Sequence, residues 1–412
     1  MRTLFVTPML PVLSAADAGG KHRRLGAFLR ALGRISRHID IVHIVPGHLM
    51  GLAADPAGLS AAQSDFWQVP LDVKLIGRRA RPQTVWNYYG AGIFSAGNQT
   101  ALYPYGGPAT ADQIGRCLDA APDIVFADRL DAMIPILASG RKPKRLFYDV
   151  DDIYHRVQLR SAFAPPFDAV RRALALQLPA LLVAERRAVA RSTRAFVCSN
   201  ADAAHLRHLG FPRQVETVPN AIDVPPAPPG VVAAPSILFL GSYHHPPNII
   251  AAERLIRCIW PRIYARVPAA RLLIAGAESE RLPSRSAAPP GVEFRGFVDD
   301  LATIYAESRL VCTPITTGSG TRLKLLEAAA YARPMVSTRI GAEGLGFRDN
   351  HEIMLREDDA SLAEVCIALL RDDALCARYG TTARDMVRDR FDVRRVELAI
   401  VDLIRDACRA AP

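Results

Sequence analysis

Short apolar runs alternate with longer amphipathic stretches along the first half of the chain. The apolar runs have the length of strands, and the stretches between them place apolar residues at helical spacing. We therefore predict strands at residues 3–7, 40–45, 73–77, 123–127, 146–150, 195–199 and 216–219. We predict helices at residues 20–32, 166–191 and 202–209. Strands that alternate with helices are typical of an α/β fold, in which helices cover both faces of a parallel, doubly wound sheet.

The same alternation restarts after a proline-rich break. Residues 225–235 hold five prolines and one glycine, a composition typical of a linker. Beyond this break we predict strands at residues 237–240, 272–275, 292–294, 310–313 and 335–338, and helices at residues 248–267, 323–331 and from 361 onward. The pattern thus predicts two Rossmann-like domains facing each other across a cleft, where ligands bind beside the carboxyl ends of strands. Residues 46–120, rich in Gly, Pro and Tyr, indicate long loops instead.

Charge is distributed unevenly between the two halves. The 412 residues include 51 basic and 41 acidic side chains, which gives a net charge of +10. Residues 1–232 hold 27 basic and 18 acidic side chains, a net of +9, and the remainder holds 24 and 23, a net of +1. Such an excess indicates an anionic partner: nucleic acid, anionic lipid or a phosphorylated substrate. A GC-rich genome that encodes Arg in place of Lys explains the abundance of Arg equally well, but not the asymmetry.

Cysteine content and hydropathy argue against several classes of protein. The seven cysteines form no C-x-x-C pair, which disfavours a zinc or disulfide framework and fits a reducing, cytosolic compartment. No run approaches the roughly 18 apolar residues of a spanning helix, and the short apolar start indicates a strand rather than a signal peptide. Basic residues are not interleaved with aromatic ones and no reader module is present, so we expect no nucleic-acid partner.

The segment between residues 316 and 344 carries the clearest chemistry. Thr317–Thr321 is a glycine-containing loop between a predicted strand and a predicted helix, where backbone N–H groups can approach an anion. Arg322 and Lys324 can neutralise a diphosphate, and the Glu327 carboxylate can accept hydrogen bonds from both hydroxyls of a ribose. Together these groups suit a nucleoside diphosphate. A glycine turn, a solvated basic helix start and a surface glutamate are an equally weighted alternative.

This segment also resembles the group 1 glycosyltransferases, glycosyltransferase family 4, which have the GT-B fold. The resemblance spans most of the second half, in ILFLGSYHHPPNII at 237–250, VEFRGFVDD at 292–300, GSGTRLKLLEAAA at 318–330, PMVST at 334–338 and GAEGL at 341–345. The first half matches more loosely, through its strand order, its glycine loop and VPNAIDV at 218–224. The resemblance implies an acceptor-binding domain at residues 1–224, a linker at 225–235, a donor-binding domain at 236–392, and a C-terminal helix at 393–412 that can cross back to the first domain.

The implied activity is retaining transfer of a sugar from a nucleotide diphosphate sugar to a saccharide, lipid-linked or small-molecule acceptor. A nucleotide-sugar epimerase or hydrolase of the same fold is the alternative, but we find no convincing acid/base pair for it. The leaving phosphate takes the acceptor proton in retaining members, so a dedicated protein base is not required. The resemblance also implies no metal and no cofactor other than the nucleotide sugar as co-substrate.

The resemblance assigns the donor site residue by residue. Glu327 matches the second glutamate of the E-x7-E signature, whereas the position of the first is Ser319. The family's usual Arg and Lys are missing from the loop that begins at Gly241, so Arg322 and Lys324 would carry more of the diphosphate charge, and both are assigned catalytic roles. The implied donor-binding residues are Gly241, Ser242, Tyr243, Gly296, Phe297, Val298, Gly318, Ser319, Gly320, Thr321, Leu323 and Glu327. His244 and His245 read as loop histidines near the donor rather than as metal ligands.

In the first half, carboxylates cluster after the predicted strand at 146–150. Asp149 and Asp151 belong to a D-x-D-D sequence, and we assign them the role of orienting acceptor hydroxyls or steadying an oxocarbenium ion. A metal site and a strand-end cap are the alternatives. The candidate acceptor-binding residues are Gly19, Gly20, Lys21, Asp128 and Arg129; Lys21 could hold an acceptor phosphate or lie on a solvated helix start.

The resemblance suggests a role for the excess of positive charge in the first half of the chain. A basic acceptor half suits a phosphorylated or lipid-diphosphate acceptor at an anionic membrane surface. We therefore expect a bacterial, cytoplasmic enzyme of polysaccharide or glycoconjugate biosynthesis that can bind peripherally at the inner face of the plasma membrane.

Overall fold

A computed structural model describes residues 1–12, 20–78, 105–163, 175–212, 214–318 and 320–410 of the chain. The chain folds as two compact units. The first unit comprises Met1–Pro219 together with Val396–Pro412, and the second comprises Asn220–Arg395. Each unit holds a parallel sheet with helices packed against it. The α/β prediction is therefore confirmed.

The first unit is built on a sheet with the strand order β3-β2-β1-β4-β5-β6-β7. Its described strands are all paired in parallel. The strands are β1 (Arg2–Thr7), β2 (His38–Pro46), β3 (Asp72–Arg78), β4 (Ile124–Asp128), β5 (Leu146–Asp151), β6 (Arg194–Val197) and β7 (Val215–Thr217). The helices described here are α1 (Gly20–Gly33), α2 (Pro56–Trp67), α3 (Pro108–Asp119), α4 (Arg129–Ala138), α5 (Tyr154–Phe163), α6 (Leu178–Arg191) and α7 (Asn200–His208).

Both faces of this sheet are buried. Leu4 and Val6 of β1 belong to one apolar cluster. Phe5 points to the opposite face, because successive side chains of a strand alternate, and its ring stacks on Phe126 with 4.8 Å between centroids. Phe28 of α1 packs on Phe126 at the same separation. Strands buried on both faces need continuous apolar runs, which is why the sequence predicted these strands.

The second unit has a smaller parallel sheet with the strand order β10-β9-β8-β11-β12-β13. Its strands are β8 (Ser236–Leu240), β9 (Arg271–Ala275), β10 (Val292–Gly296), β11 (Leu310–Thr313), β12 (Met335–Ser337) and β13 (Met354–Leu355). Its described helices are α8 (Pro246–Arg254), α9 (Trp260–Arg266), α10 (Leu301–Glu307), α11 (Leu323–Ala330), α12 (Asp359–Arg371) and α13 (Asp373–Arg390). A π-helical turn at Leu255–Ile259 joins α8 to α9, so the helix predicted at 248–267 has one wider turn.

Residues 46–120 contain more regular structure than the sequence indicated. A 3₁₀ segment at Gly47–Ala54, helix α2 and helix α3 all lie in this region, in addition to strand β3, which was predicted at residues 73–77. The carboxylate of Asp55 accepts a hydrogen bond from the N–H of Gly58 at 2.9 Å, and a proline opens both α2 and α3. The prediction of long loops is therefore wrong for these described residues, because caps and initial prolines start helices here. Residues 79–104 lie outside the described residues.

Arginine side chains of the second unit bind the carbonyls of the proline-rich segment 225–235. Arg333, which is almost fully buried, donates from Nη1 to Gly230 O at 2.9 Å and from Nη2 to Pro229 O at 3.2 Å. Arg309 Nη1 donates to Val232 O at 3.1 Å, and Arg384 Nη2 binds the carbonyl of Pro225. Proline has no N–H to donate, and the segment is bound through its carbonyls, which include that of Pro235, the acceptor for Arg271 N at 2.9 Å.

The last helix, α14 (Val393–Ala410), is largely part of the first unit. Glu397 accepts hydrogen bonds from Arg30 Nε at 2.5 Å and from Arg34 Nη2 at 3.1 Å, both on α1. Arg145 Nη2 donates to the carbonyl of Cys408 at 2.9 Å. The end of the chain therefore packs against α1 and the residues just before β5.

None of the helices in the described part of the chain has the length and hydrophobicity that crossing a membrane requires.

Candidate functional site

The strand order of each sheet reverses at one position. The reversal lies between β1 and β4 in the first unit and between β8 and β11 in the second. In open α/β sheets ligands bind outside the carboxyl ends of the strands at such a switch point. The loops and helices that follow these four strands carry most of the residues predicted to be functional.

Two glycines bring the loops after β8 and β9 close together. The carbonyl of Ala275 accepts a hydrogen bond from Gly241 N at 3.0 Å. Gly276 has a φ of +126°, and a Cβ at this residue would lie 1.8 Å from Gly241 O. Only glycine fits this conformation and this approach, so residue 276 fixes the shape of the loop that begins at Gly241.

The loop after β11 is a glycine turn, as predicted. Gly318 and Gly320 have φ values of +103° and +81°, and Ser319 lies outside the described residues. The hydroxyl of Thr321 accepts a hydrogen bond from the Asn220 side chain. Arg322 folds back over the loop, donating from Nη1 to Gly320 O at 2.6 Å and from Nη2 to Thr317 O at 3.4 Å. The Arg322 guanidinium was predicted to neutralise the diphosphate of the donor. In this structure it hydrogen-bonds to carbonyls of its own loop and so stabilises that loop.

Lys324, in the first turn of α11, reaches the loop after β8. Its Nζ donates to Asn248 Oδ1 at 2.8 Å and lies 4.5 Å from the centroid of the Phe239 ring. A Cβ at Gly241 would lie 2.9 Å from the same Nζ. Burial, followed by the charge of Arg322, lowers the pKa of Lys324 to about 7, although Glu327 acts in the opposite direction. The loop that lacks its own Arg and Lys therefore has the Lys324 ammonium beside it.

Glu327 lies one turn further along α11 and is buried. The Tyr305 hydroxyl donates to Glu327 Oε2 at 3.5 Å and to the carbonyl of Lys324 at 3.3 Å. The Tyr305 ring stacks on Tyr331 with 4.8 Å between centroids. Sequence reasoning missed Tyr305 and Asn248, because nothing in their local pattern marks them and both act through residues distant in sequence.

The remaining predicted donor residues have varied surroundings. Tyr243 is buried and its hydroxyl donates to Ala275 O at 3.2 Å; burial raises its pKa. The carbonyl of Ser242 accepts a hydrogen bond from Asn248 Nδ2 at 2.8 Å. Gly296 has a φ of +64° and is followed by Phe297, which is 54% exposed. Val298 and Leu323 pack on the apolar core, and the His244 ring lies 3.4 Å from Glu278.

In the first unit, a hydrogen bond crosses the switch point. Thr7, at the end of β1, donates from its hydroxyl to Asp128 Oδ2 at 2.6 Å at the end of β4. Burial raises the pKa of Asp128, and Arg129 and the Thr7 hydroxyl oppose that effect. The predicted residue Asp128 therefore lies at the carboxyl edge, but Thr7 already binds one of its oxygens.

Asp149 forms a buried ion pair with Arg24 of α1. Arg24 donates from Nε to Asp149 Oδ2 at 2.8 Å and from Nη2 to Oδ1 at 2.6 Å, and its Nη1 donates to Val218 O at 2.8 Å. Burial disfavours the charge of Arg24, but Asp149, Cys198 and Asp151 together outweigh it, so the pKa of Arg24 is raised. Burial, with the charges of Asp151 and Asp128, also raises the pKa of Asp149 against the effect of Arg24. Asp149 thus holds α1 against β5, a role the sequence did not indicate.

Arg129 and Asp151 form an ion pair, and both residues have an unusual backbone conformation. Arg129 has a φ of +69° and Asp151 a φ of +51°, values that non-glycine residues seldom adopt. Arg129 Nη2 lies 2.9 Å from Asp151 Oδ2. Burial opposes ionisation of Asp151, but Arg129, Arg24 and Lys21 outweigh it, so its pKa is lowered. Backbone strain of this kind concentrates at functional sites.

Further polar groups surround this pair. Lys21 Nζ lies 4.0 Å from Asp152 Oδ2, and its side chain is about half exposed. The Tyr154 hydroxyl donates to Asp131, and burial raises the pKa of Asp131 to about 6. Sequence reasoning missed Tyr154 and Asp131. Gly20 is the first residue of α1, and Gly19 lies outside the described residues.

Each carboxylate of the D-x-D-D sequence lies near a cationic side chain. Asp149 forms an ion pair with Arg24, Asp151 with Arg129, and Asp152 with Lys21. Among the described residues, the three groups whose ligand atoms lie within 4.8 Å of one another are His38, Asp40 and Asp72, at the amino ends of β2 and β3. His38 Nε2 is 3.1 Å from each of those carboxylates, and Arg2 also binds Asp40. The structure thus arranges the D-x-D-D residues as ion pairs.

Comparison with known proteins gives a match centred on the second unit. A sequence profile of the family described as Glycosyl transferases group 1 matches residues 234–372. The chain is 30% identical over 163 residues to a phosphatidyl-myo-inositol mannosyltransferase of Mycobacterium leprae (strain TN), an alignment that covers 38% of this chain and 42% of that protein. The chain thus spans less than half the length of the curated relatives it matches.

Solved structures resemble the chain over nearly its full length. Sucrose-phosphate synthase from Thermosynechococcus elongatus has a TM-score of 0.68 at 16% identity, with 99% of each chain covered. Anabaena HepE in complex with UDP and glucose has a TM-score of 0.61 at 15% identity, covering 98% of this chain and 100% of HepE. At this level of identity the likeness establishes the fold. Residues 234–372 thus resemble the group 1 glycosyltransferases, and the chain has the GT-B fold.

Proposed function

We propose that this protein is a retaining glycosyltransferase that moves a sugar from a nucleotide diphosphate sugar to a saccharide or lipid-linked acceptor. The observation that carries the proposal is that the glycine loop, the Lys324 ammonium and the Glu327 carboxylate lie together at the switch point of the second unit. Backbone N–H groups and a cation suit a diphosphate, and a carboxylate suits ribose hydroxyls. The family profile matches the same residues, and HepE, which shares the fold, was solved with UDP and glucose.

The proposed mechanism follows from where charge develops. Cleavage of the anomeric C–O bond leaves negative charge on the diphosphate and oxocarbenium character on the sugar. The Lys324 ammonium and the N–H groups at the start of α11 stabilise the leaving diphosphate. The acceptor oxygen forms the new bond on the face that the diphosphate leaves, and the acceptor proton passes to the leaving phosphate.

The acceptor is proposed to bind through its hydroxyls at the carboxyl edge of the first sheet. The cations Lys21, Arg24 and Arg129 lie there beside five carboxylates. Those carboxylates are Asp128, Asp131, Asp149, Asp151 and Asp152. Carboxylates accept hydrogen bonds from hydroxyls and repel phosphates. A saccharide hydroxyl is thus favoured at this edge, and Lys21 is the more exposed cation for any acceptor phosphate.

We propose that transfer is independent of a divalent metal. Lys324 is assigned the role that a metal would otherwise have, neutralising the charge of the diphosphate. The D-x-D-D carboxylates, which could bind a metal, form ion pairs with cationic side chains instead. Transfer that persists in excess EDTA is the expected result. Loss of transfer in EDTA that added Mg²⁺ or Mn²⁺ restores would refute metal independence.

We further propose peripheral binding to an anionic membrane, based on the net charge of +9 in residues 1–232. Sedimentation with vesicles containing anionic lipid should exceed sedimentation with zwitterionic vesicles, and salt should reverse it. Equal sedimentation with both vesicle types would remove this part of the proposal while leaving the transferase activity untouched.

The test of the activity is a panel of radiolabelled UDP-, GDP-, ADP- and TDP-sugars with and without candidate acceptors. A glycosyltransferase forms an acceptor product with retained anomeric configuration, which NMR of that product establishes. Release of free sugar that acceptors do not alter indicates a hydrolase, and an epimerised nucleotide sugar indicates an epimerase. Failure of Glu327→Ala to weaken nucleotide binding would refute the donor site assigned here.

A further inference from the structure

Asn248 uses both ends of its side-chain amide at the predicted donor site. Its Oδ1 accepts from Lys324 Nζ at 2.8 Å, and its Nδ2 donates to the carbonyl of Ser242 at 2.8 Å. A lysine ammonium can only donate and a carbonyl can only accept. The two partners therefore fix which end of the amide faces which group. Asn248 connects the loop after β8 to α11 across 76 positions of sequence.

The Lys324 ammonium is held by uncharged groups, although the opposite charges of Arg322 and Glu327 also act on it. Its Nζ contacts the Asn248 amide oxygen and the face of the Phe239 ring, and a Cβ at Gly241 would lie 2.9 Å from it. The amide oxygen and the ring face both present partial negative charge to a cation. They hold the ammonium in place without supplying the full negative charge that a carboxylate would.

We propose that Asn248 is a positioning residue for the donor: it holds the Lys324 ammonium at the Gly241 turn, where the ammonium binds the donor diphosphate. A consequence is that donor binding draws a proton into the site. This inference rests on the proposed function. It assigns to Lys324 the charge that the loop after β8 lacks, and to Asn248 of α8 the task of holding that charge beside the loop.

The direction of the proton linkage follows from the charges that face Lys324. Burial and the charge of Arg322 lower its pKa and Glu327 raises it, with a result of about 7. The Phe239 ring of β8 and the Asn248 amide of α8 contribute no net charge, and in the loop between them the His244 ring lies beside Glu278. A bound diphosphate raises the pKa of Lys324, so binding takes up a proton above pH 7 and none well below it.

The experiment is calorimetry of UDP and GDP binding near pH 8 in two buffers of different ionisation enthalpy, which gives the number of protons taken up. Near pH 8 the terminal phosphate of either nucleotide, with a pKa of about 6, is already ionised. Wild-type protein is expected to take up close to one proton. Lys324→Arg keeps its charge at every working pH, so it should bind with no uptake. Lys142→Arg, an exposed substitution in the first unit, is the matched control and should behave as wild type.

Asn248 is tested by two variants that act on Lys324 in opposite directions. Asn248→Ala removes the amide oxygen, so the Kd should rise about tenfold, as for loss of a hydrogen bond to a charged group, and uptake should persist to lower pH. Asn248→Asp supplies a counter-ion in advance, so uptake near pH 8 should fall and the Kd should rise through repulsion of the diphosphate. Circular dichroism and thermal unfolding confirm that both variants are folded.

Three results would contradict this inference. Unchanged Kd and unchanged proton uptake in both folded Asn248 variants would overturn the role of Asn248. Proton uptake that persists in Lys324→Arg would overturn the assignment of the proton to Lys324. Should wild-type protein bind none of UDP, GDP, ADP and TDP, the proposed function fails, and this inference fails with it.

Discussion

The guanidinium of Arg24 donates two hydrogen bonds to the carboxylate of Asp149, which lies 125 positions later in the chain. Both side chains are less than 5% exposed. The third contact of the guanidinium, with the carbonyl of Val218, connects the pair to the end of the segment Met1–Pro219 of the first unit. A buried ion pair of this geometry adds little net stability over an apolar pair, but either partner alone is costly. The pair therefore fixes α1 relative to β5 at the carboxyl edge where the acceptor is proposed to bind.

Removing Arg24 should destabilise the first unit strongly. Arg24→Met keeps part of the stem beside the Phe28 ring but leaves Asp149 buried without its cation, so we expect a loss of about 3–5 kcal/mol of unfolding free energy. The double variant Arg24→Met/Asp149→Leu should recover most of that loss. Urea unfolding followed by circular dichroism measures both, with exposed Arg37→Met as the control, for which we expect a change within about 0.5 kcal/mol. Equal losses in the single and double variants would contradict the pairing argument.

Asp131 should make the stability of the first unit depend on pH. Burial raises its folded-state pKa to about 6, above its value of about 3.9 in an unfolded chain. Between these values the folded state binds the extra proton, so the contribution of Asp131 to stability falls as pH rises from about 4 to about 6, by up to about 3 kcal/mol.

Asp131→Asn removes this titration and keeps an oxygen that can accept from Tyr154. The difference in unfolding free energy between this variant and wild type should therefore shift in favour of the variant as pH rises through the same window. Denaturant unfolding at a series of pH values measures it. A difference that stays constant with pH would show that Asp131 does not retain its proton in the folded state.

The fold could be predicted because buried parallel strands are continuous apolar runs. Strand β11 begins and ends where the sequence predicted it, at Leu310 and Thr313. Helix α4 was not predicted, since its apolar run is short, contains Pro135 and could equally be a strand. Helices α2 and α3 were missed because Gly and Pro suggested loops, whereas their first residues are prolines suited to helix starts.

The candidate site could be predicted only in part. The glycine loop, Lys324 and Glu327 are close in sequence, so their spacing indicated that they lie close together in the structure. Partners from other elements, such as Asn248 and Tyr305, could not be found this way, since their contacts depend on the strand order of the sheet. The same holds for Arg24, whose partner Asp149 lies 125 positions later in the chain.

Glu327 should control how tightly the ribose of the donor is bound. We expect Glu327→Ala to raise the Kd of the nucleoside diphosphate that binds wild type by about tenfold to a hundredfold, as for loss of hydrogen bonds to a charged group. The 2′-deoxy nucleotide should bind wild type more weakly than the ribonucleotide, and the variant should bind both equally. Calorimetry with the two nucleotides measures this.

Tyr305→Phe is the comparison for Glu327→Ala, because it removes only the hydroxyl that donates to Glu327 Oε2. It should give a smaller rise in Kd and keep the discrimination between ribose and deoxyribose. A Glu327→Ala variant that still prefers the ribonucleotide would show that another group recognises the 2′-hydroxyl.

Arg333 should protect the proline-rich segment 225–235 from proteolysis. Its buried guanidinium donates to the carbonyls of Gly230 and Pro229, and burial lowers its pKa to about 10, which leaves it charged at neutral pH. Arg333→Met removes both hydrogen bonds, so we expect a loss of about 1–3 kcal/mol in unfolding free energy and faster cleavage before Val231 and Val232. Thermolysin digestion followed by mass spectrometry measures the cleavage, with exposed Arg339→Met as the control. Equal cleavage rates in the two variants would mean that the segment is held by its other contacts, those of Arg309 and Arg384.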